Sequence, residues 1–100
     1  MNITQKMNDG ILEVIVEGRL DTSTAPQLEK ELKSSINNAE ALVFDFSKLD
    51  YISSAGLRVL LSANKAMLQQ GKKQITITNA NEIVKEVFEV TGFSDILTIV

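Results

Sequence analysis

Apolar and polar positions alternate in "ILEVIVEG": Leu12, Val14 and Val16 share one face, while Glu13 and Glu17 interrupt the other. This period of two predicts a half-exposed strand. The weaker "NITQKM" before it is a plausible hairpin partner, because Asn8-Asp9-Gly10 supplies residues that tolerate positive φ. The period then changes. "TSTAPQLEKELKSSI" reads as a helix capped by Thr24, with Gln27 as its capping-box partner, Pro26 in the first turn, and Leu28, Leu32 and Ile36 on the buried side.

Apart from Asp45, every position of "ALVFDF" is apolar, which predicts a strand covered on both faces. From Ser54 to about Gln70, residues Leu57, Leu60, Leu61, Asn64, Met67 and Leu68 recur at helical spacing, and Gly71 supplies the stop. "QITITN" alternates as a strand. "NEIVKEVFEVTG" predicts a helix with Ile83, Val84, Val87 and Phe88 inward and Gly92 as terminator, and "DILTIV" closes the chain as a strand. The order β-β-α-β-α-β-α-β predicts an α/β fold, a small mixed β-sheet flanked by helices with right-handed crossovers.

Composition narrows the function. One hundred residues, 44% hydrophobic, fill one core and predict one domain over residues 1–100. The net charge is −3 and the ten Lys and Arg are scattered, so no basic stripe invites nucleic acid or an anionic membrane. Lys72-Lys73, the only basic cluster, reads as cations just past a helix C-terminus. There is no cysteine, no spanning run and no signal-peptide pattern; the expectation is a soluble cytoplasmic protein. The chain has no histidine, which removes Ser-His-Asp hydrolysis, His-ligated metal and imidazole proton transfer together. No metal or other cofactor is expected, and neither "GRLDTSTA" nor "SSAGLRVL" matches a phosphate loop. A serine with a lysine base is the residual enzyme reading, and Lys48 is the only lysine near it upstream.

The serines and glycine of "DYISSAGLRVLL" stand at the strand-to-helix turn after the central strand, a favoured place for a site in an α/β sheet. One serine suffices as an N-cap. Ser53, Ser54, Ala55 and Gly56 together leave the first turn nearly bare, which either tight packing against a neighbouring loop or the approach of a partner explains. Asp21 reads as a turn or capping acid, and Thr22, Ser23 and Thr24 as turn and cap residues with partner contact as a second role. Asp45 and Ser47 read either as holding the serine loop through its backbone N–H groups or, as the favoured role, as a purely structural loop clamp. Arg58, four residues after Ser54, is either a solvated cation or within reach of a phosphate.

"GRLDTSTAPQLE", "ALVFDFSKLDYISSAGLRVLL", "KKQITITNANEIVKEVFEVTGF" and the terminal "ILTIV" resemble successive parts of a STAS domain, specifically the stand-alone bacterial anti-sigma factor antagonist. The resemblance implies a phosphorylation-controlled binding module and not an enzyme. A serine kinase that is itself the anti-sigma factor phosphorylates the antagonist, and a PP2C-type phosphatase restores it. Only the unmodified antagonist captures the kinase and frees the sigma factor. The family's acceptor lies two residues before the Gly-Leu pair, here Ser54. Many relatives carry aspartate where this chain has Ser53, which makes Ser53 a competing acceptor, and Ser or Thr where it has Ala55. Asp21 resembles the acidic residue that the family places at the kinase contact. The interface expected around Ser54 and Asp21 comprises Asp21, Thr22, Ser23, Thr24, Ser53, Ser54, Ala55, Gly56 and Arg58. A STAS subunit that scaffolds a transporter or signalling complex is the alternative within the family.

Overall fold

In the computed structural model, which describes residues 1–100, the chain opens with a hairpin. β1 (Asn2–Asn8) and β2 (Ile11–Leu20) pair antiparallel about a turn in which Asp9 and Gly10 both have positive φ, as their sequence predicts. Helix α1 (Ala25–Lys33) follows, with Pro26 in its first turn, where a missing N–H does no harm. Ile36 lies beyond α1, on a separate 3-10 turn. β3 (Ala41–Asp45), β4 (Leu49–Ile52), α2 (Ser54–Gln69), β5 (Thr76–Thr78), α3 (Glu82–Thr91) and β6 (Thr98–Ile99) complete the domain. The sheet runs β1-β2-β3-β5-β6, parallel after the first pair, and β4 adds to the far end of β2.

Two departures from the sequence pattern shape the site. First, β4 falls where a plain loop is expected between β3 and α2. Its Leu49 and Ile52 point inward while Asp50 and Tyr51 both stay outside, so it carries no period of two. β2 changes partner to accommodate it: Ile11–Ile15 pair with β3, and Gly18–Leu20 pair with β4 across a register shift. Gly18 makes the change with φ +104 while its N–H donates to the Lys48 carbonyl at 3.0 Å. That conformation is close to forbidden for a residue with a Cβ.

Second, the helices cover one face of the sheet rather than two. Leu42, Phe44 and Phe46 are buried, but Ala41, Val43 and Asp45 on the other side of β3 are half-buried. Helices and strands meet on the covered face in one cluster where Phe46 packs between Phe44 and Phe88. Leu68, half exposed, and Ile83, 59% exposed, also lie outside this core, contrary to the helical pattern. The only buried polar residue, Asn64, accepts the Ile75 N–H at 2.9 Å. β5 starts just after that bond and stops before Asn79, whose φ is +60, so it is shorter than "QITITN" predicts.

Candidate functional site

The ends of β2 and β4 are paired, Arg19 with Tyr51 and Leu20 with Ile52, so the two strand-to-helix turns that follow them are neighbours. In the first, Asp21 Oδ1 accepts the Ser23 hydroxyl at 2.7 Å, the Ser23 N–H at 3.0 Å and the Thr24 N–H at 3.2 Å. The hydroxyl of Ser23, followed by these backbone donors, holds the Asp21 carboxyl below its ordinary range. Thr24 does not cap α1 with its side chain. Its Oγ1 instead accepts the Asp21 N–H at 2.9 Å and donates to the Arg19 carbonyl at 2.7 Å. The expected capping box is absent too, since Gln27 Nε2 donates to Glu31 Oε2. The Asp21 carboxylate orders the turn before α1, and its backbone carbonyl accepts the Ala25 N–H at 2.8 Å. The other carboxylate oxygen lies 3.7 Å from Arg19 Nε, the molecule's sole ion pair, and the Arg19 guanidinium sits 4.6 Å over the Tyr51 ring.

In the second turn Ser53 is the N-cap of α2, extended at φ −100 and ψ 178. Its N–H donates to the Leu20 carbonyl at 2.9 Å and its own carbonyl accepts from Leu57 at 2.9 Å. The Ser53 hydroxyl caps nothing: it is buried and is the only buried side-chain polar atom in the molecule without a partner. Ser54, the first residue of α2, is exposed. The first-turn N–H groups around it have no acceptor within the helix, and the positive end of the helix dipole lies there.

Gly56 settles one of the two explanations left open for the bare turn. A Cβ on it would stand 2.7 Å from Leu20 Cγ, 2.8 Å from Ile52 Cγ1 and 3.0 Å from the Leu20 carbonyl oxygen. The fold's own packing therefore demands this glycine. Ala55 is different: it is half-buried and, with Thr22, Ala25, Pro26, Glu29, Arg58 and Val59, lines a shallow groove of ≈ 260 Å³ between the starts of α1 and α2. Arg58 is exposed on that groove and makes no ion pair.

Asp45 and Ser47 form a structural clamp on their own turn and make no hydrogen bond to the serine loop. Asp45 Oδ1 accepts the Ser47 N–H at 2.9 Å and the Asn79 amide at 3.2 Å, which ties the β3–β4 turn to the β5–α3 turn. Burial pushes the Asp45 carboxyl up, but these donors outweigh it and its pKa is lowered. The serine loop is held by Leu20 and Ile52 instead. Asn81, which sequence reasoning passed over, caps α3 by accepting the Val84 N–H at 2.8 Å and donates to the Leu49 carbonyl at 3.1 Å, fixing the start of β4. An asparagine just before an amphipathic run was its available signal.

Comparison with known proteins gives this geometry a family. The model of the STAS domain matches residues 2–100. BtrV of Bordetella bronchiseptica, whose name describes it as a candidate anti-sigma factor antagonist, is 38% identical over 100 residues, covering 99% of this chain and 85% of its own. The anti-sigma-B factor antagonist of Staphylococcus aureus is 30% identical over 98 residues, covering 97% of this chain and 90% of its own. Among solved structures, the unphosphorylated anti-sigma factor antagonist SpoIIAA superposes with a TM-score of 0.84 at 17% identity, covering 99% of this chain and 88% of that one. The fold is thus that of a known group, and the chain belongs to the STAS domain family.

Proposed function

We propose that this domain is an anti-sigma factor antagonist whose unmodified form binds an anti-sigma factor serine kinase, and that Ser54 is the residue the kinase phosphorylates. The observation that carries this reading is the exposed Ser54 hydroxyl on the first turn of α2, beside the Asp21 turn. Relatives named anti-sigma factor antagonists support it, as does the existence of a Bacillus SpoIIAA structure in phosphorylated form with the same fold, at a TM-score of 0.77. Ser53, the competing acceptor, buries its hydroxyl, so a kinase would have to open the turn to reach it.

A phosphate on Ser54 adds roughly −1.5 to −2 charge at neutral pH. At a helix N-terminus the free N–H groups and the dipole favour such an anion by roughly 0.3 to 1 kcal/mol, so the fold tolerates it. A partner packed on both turns does not, because the phosphate must be desolvated there and faces the Asp21 carboxylate. A loss of about 2.8 kcal/mol lowers affinity roughly a hundredfold, enough to release the kinase. A PP2C-type phosphatase resets the switch, and the surface would comprise Asp21 to Thr24, Ser53 to Gly56 and Arg58. The test is incubation of wild type, Ser54→Ala and Ser53→Ala with the cognate kinase and ATP, followed by mass spectrometry. Phosphate on wild type and Ser53→Ala but not on Ser54→Ala is expected. Undiminished incorporation into Ser54→Ala overturns the assignment.

A further inference from the structure

Helix α3 carries more apolar surface than the core takes up: Val87 packs partly against the core, and Ile83 and Val90 on either side of it do not. Val84 and Phe88 enter the core, but Ile83, 59% exposed, and Val90, 80% exposed, stand on the outer surface with half-buried Val87 between them. The spacing 83, 87, 90 places all three on one side of the helix, a strip of the kind that docks a second helix. Single exposed apolar residues are ordinary; an aligned row on one helix marks an interaction surface.

Charge says what covers the row. Glu82, Glu86 and Glu89 run along its edge and, with Ile83 and Lys85, line a shallow depression of ≈ 410 Å³. None of these groups forms an ion pair, since the molecule's only one is Arg19–Asp21. Glu82 in the first turn suits the helix dipole, but Glu89 stands in the last turn, which carries no basic residue. An acid there acts against the helix's own electrostatics. A second copy of the chain would bring like charges together, and an anionic surface would be repelled.

We propose that the outer face of α3 docks a basic amphipathic helix of a protein partner, with apolar side chains on Ile83, Val87 and Val90 and lysine or arginine between Glu82, Glu86 and Glu89. The face lies on a different helix from Ser54, and this assignment holds or fails independently of the phosphorylation reading.

The experiment titrates the isotopically labelled domain with two synthetic amphipathic helical peptides, one with a leucine seam flanked by lysines and one with glutamates in their place. The lysine peptide is expected to shift the amides of Ile83, Glu86, Val87 and Val90, and the glutamate peptide to leave them in place. Glu86→Lys with Glu89→Lys should weaken the lysine peptide at least about tenfold. Ile83→Ser with Val90→Ser should do the same, with an unchanged melt because both side chains are exposed. Equal binding of the two peptides, no binding by either, shifts confined to another face, or unimpaired binding by the charge-reversal variant overturns the proposal. So does self-association of the domain through α3, or its adsorption to zwitterionic vesicles through Ile83 and Val90.

Discussion

Two strand-to-helix turns lie side by side at the paired ends of β2 and β4, and they are built in opposite ways. In the β2–α1 turn polar groups are saturated: the Asp21 carboxylate takes the Ser23 and Thr24 donors, and Thr24 Oγ1 both accepts and donates. In the β4–α2 turn the only anchors are backbone bonds and apolar contact, and the cap hydroxyl of Ser53 has no partner at all. The first turn is locked by its own side chains. The second is locked from beneath by Leu20 and Ile52, which leaves its outer surface and Ser54 uncommitted. The phosphorylation proposed for Ser54 suits the second kind of turn, because changing the charge there breaks no existing side-chain hydrogen bond.

The strongest way to break that contrast is to disturb the packing beneath α2. In an ordinary helix interior Gly→Ala gains up to about 1 kcal/mol. At Gly56 the added methyl meets Leu20 and Ile52 side chains at 2.7 and 2.8 Å and a backbone oxygen at 3.0 Å, and such overpacking costs about 1–3 kcal/mol. Gly56→Ala should therefore lower the Tm, by roughly 4–8 °C for each kcal/mol in a domain of this size. Thermal melts followed by circular dichroism check it. A raised Tm would mean that the turn is not clamped from below.

Ser53→Ala sharpens the contrast, because the sign of its effect differs from that of a usual cap. Replacing a serine whose side chain caps a helix loses about 1 kcal/mol. The Ser53 hydroxyl is desolvated and bonds to nothing, so removing it should leave stability unchanged or raise it by up to about 1 kcal/mol. Denaturant melts of the two proteins decide. A clear loss would show that the hydroxyl turns inward to cap α2 in solution.

The same contrast explains what the sequence made legible. α2 and α3 were readable because Leu57, Leu60, Asn64 and Met67, and likewise Val84 and Phe88, bury themselves at the helical period. β4 was not, because Asp50 and Tyr51 are adjacent and both exposed, and what makes it a strand is the tail of β2 beside it. Apolar Ala41 and Val43 suggested a second covered face that the fold does not build, and Ile83 was read as core by the same logic. Hydrophobicity marks what can be buried and does not name the surface that buries it. At the site, "SSAG" drew attention to the right turn. Whether its glycine served packing or a partner depended on Leu20, more than thirty residues upstream.

The smallest effect concerns the charge on Asp21, and it separates the two roles that the first turn combines. Its carboxyl lies below the ordinary aspartate value of 3.8, chiefly through the Ser23 hydroxyl. Between the folded value and 3.8 the unfolded chain binds more protons than the folded one, so stability rises with pH across that interval. The contribution is complete above 3.8 and disappears as the pH falls through the lower, folded value. Asp45 is also lowered and slopes the same way, so the wild-type curve alone does not identify Asp21. The comparison with Asp21→Asn does, because asparagine keeps an acceptor oxygen for the Ser23 and Thr24 donors while removing the charge and its titration. Above the carboxylate range the wild type should melt slightly higher than Asp21→Asn, and the two Tm curves should converge as the pH falls below 3.8. The gap should be small, since the group is solvent-screened. At neutral pH the proposed interface requires the variant to bind the proposed kinase partner more weakly, because a charge at an interface steers and selects a partner more than it stabilises its own fold. Parallel Tm curves would show that the Asp21 hydrogen bonds do not depend on its charge. A loss of binding only in proportion to a loss of folding would make Asp21 an organiser of the turn before α1 and nothing more.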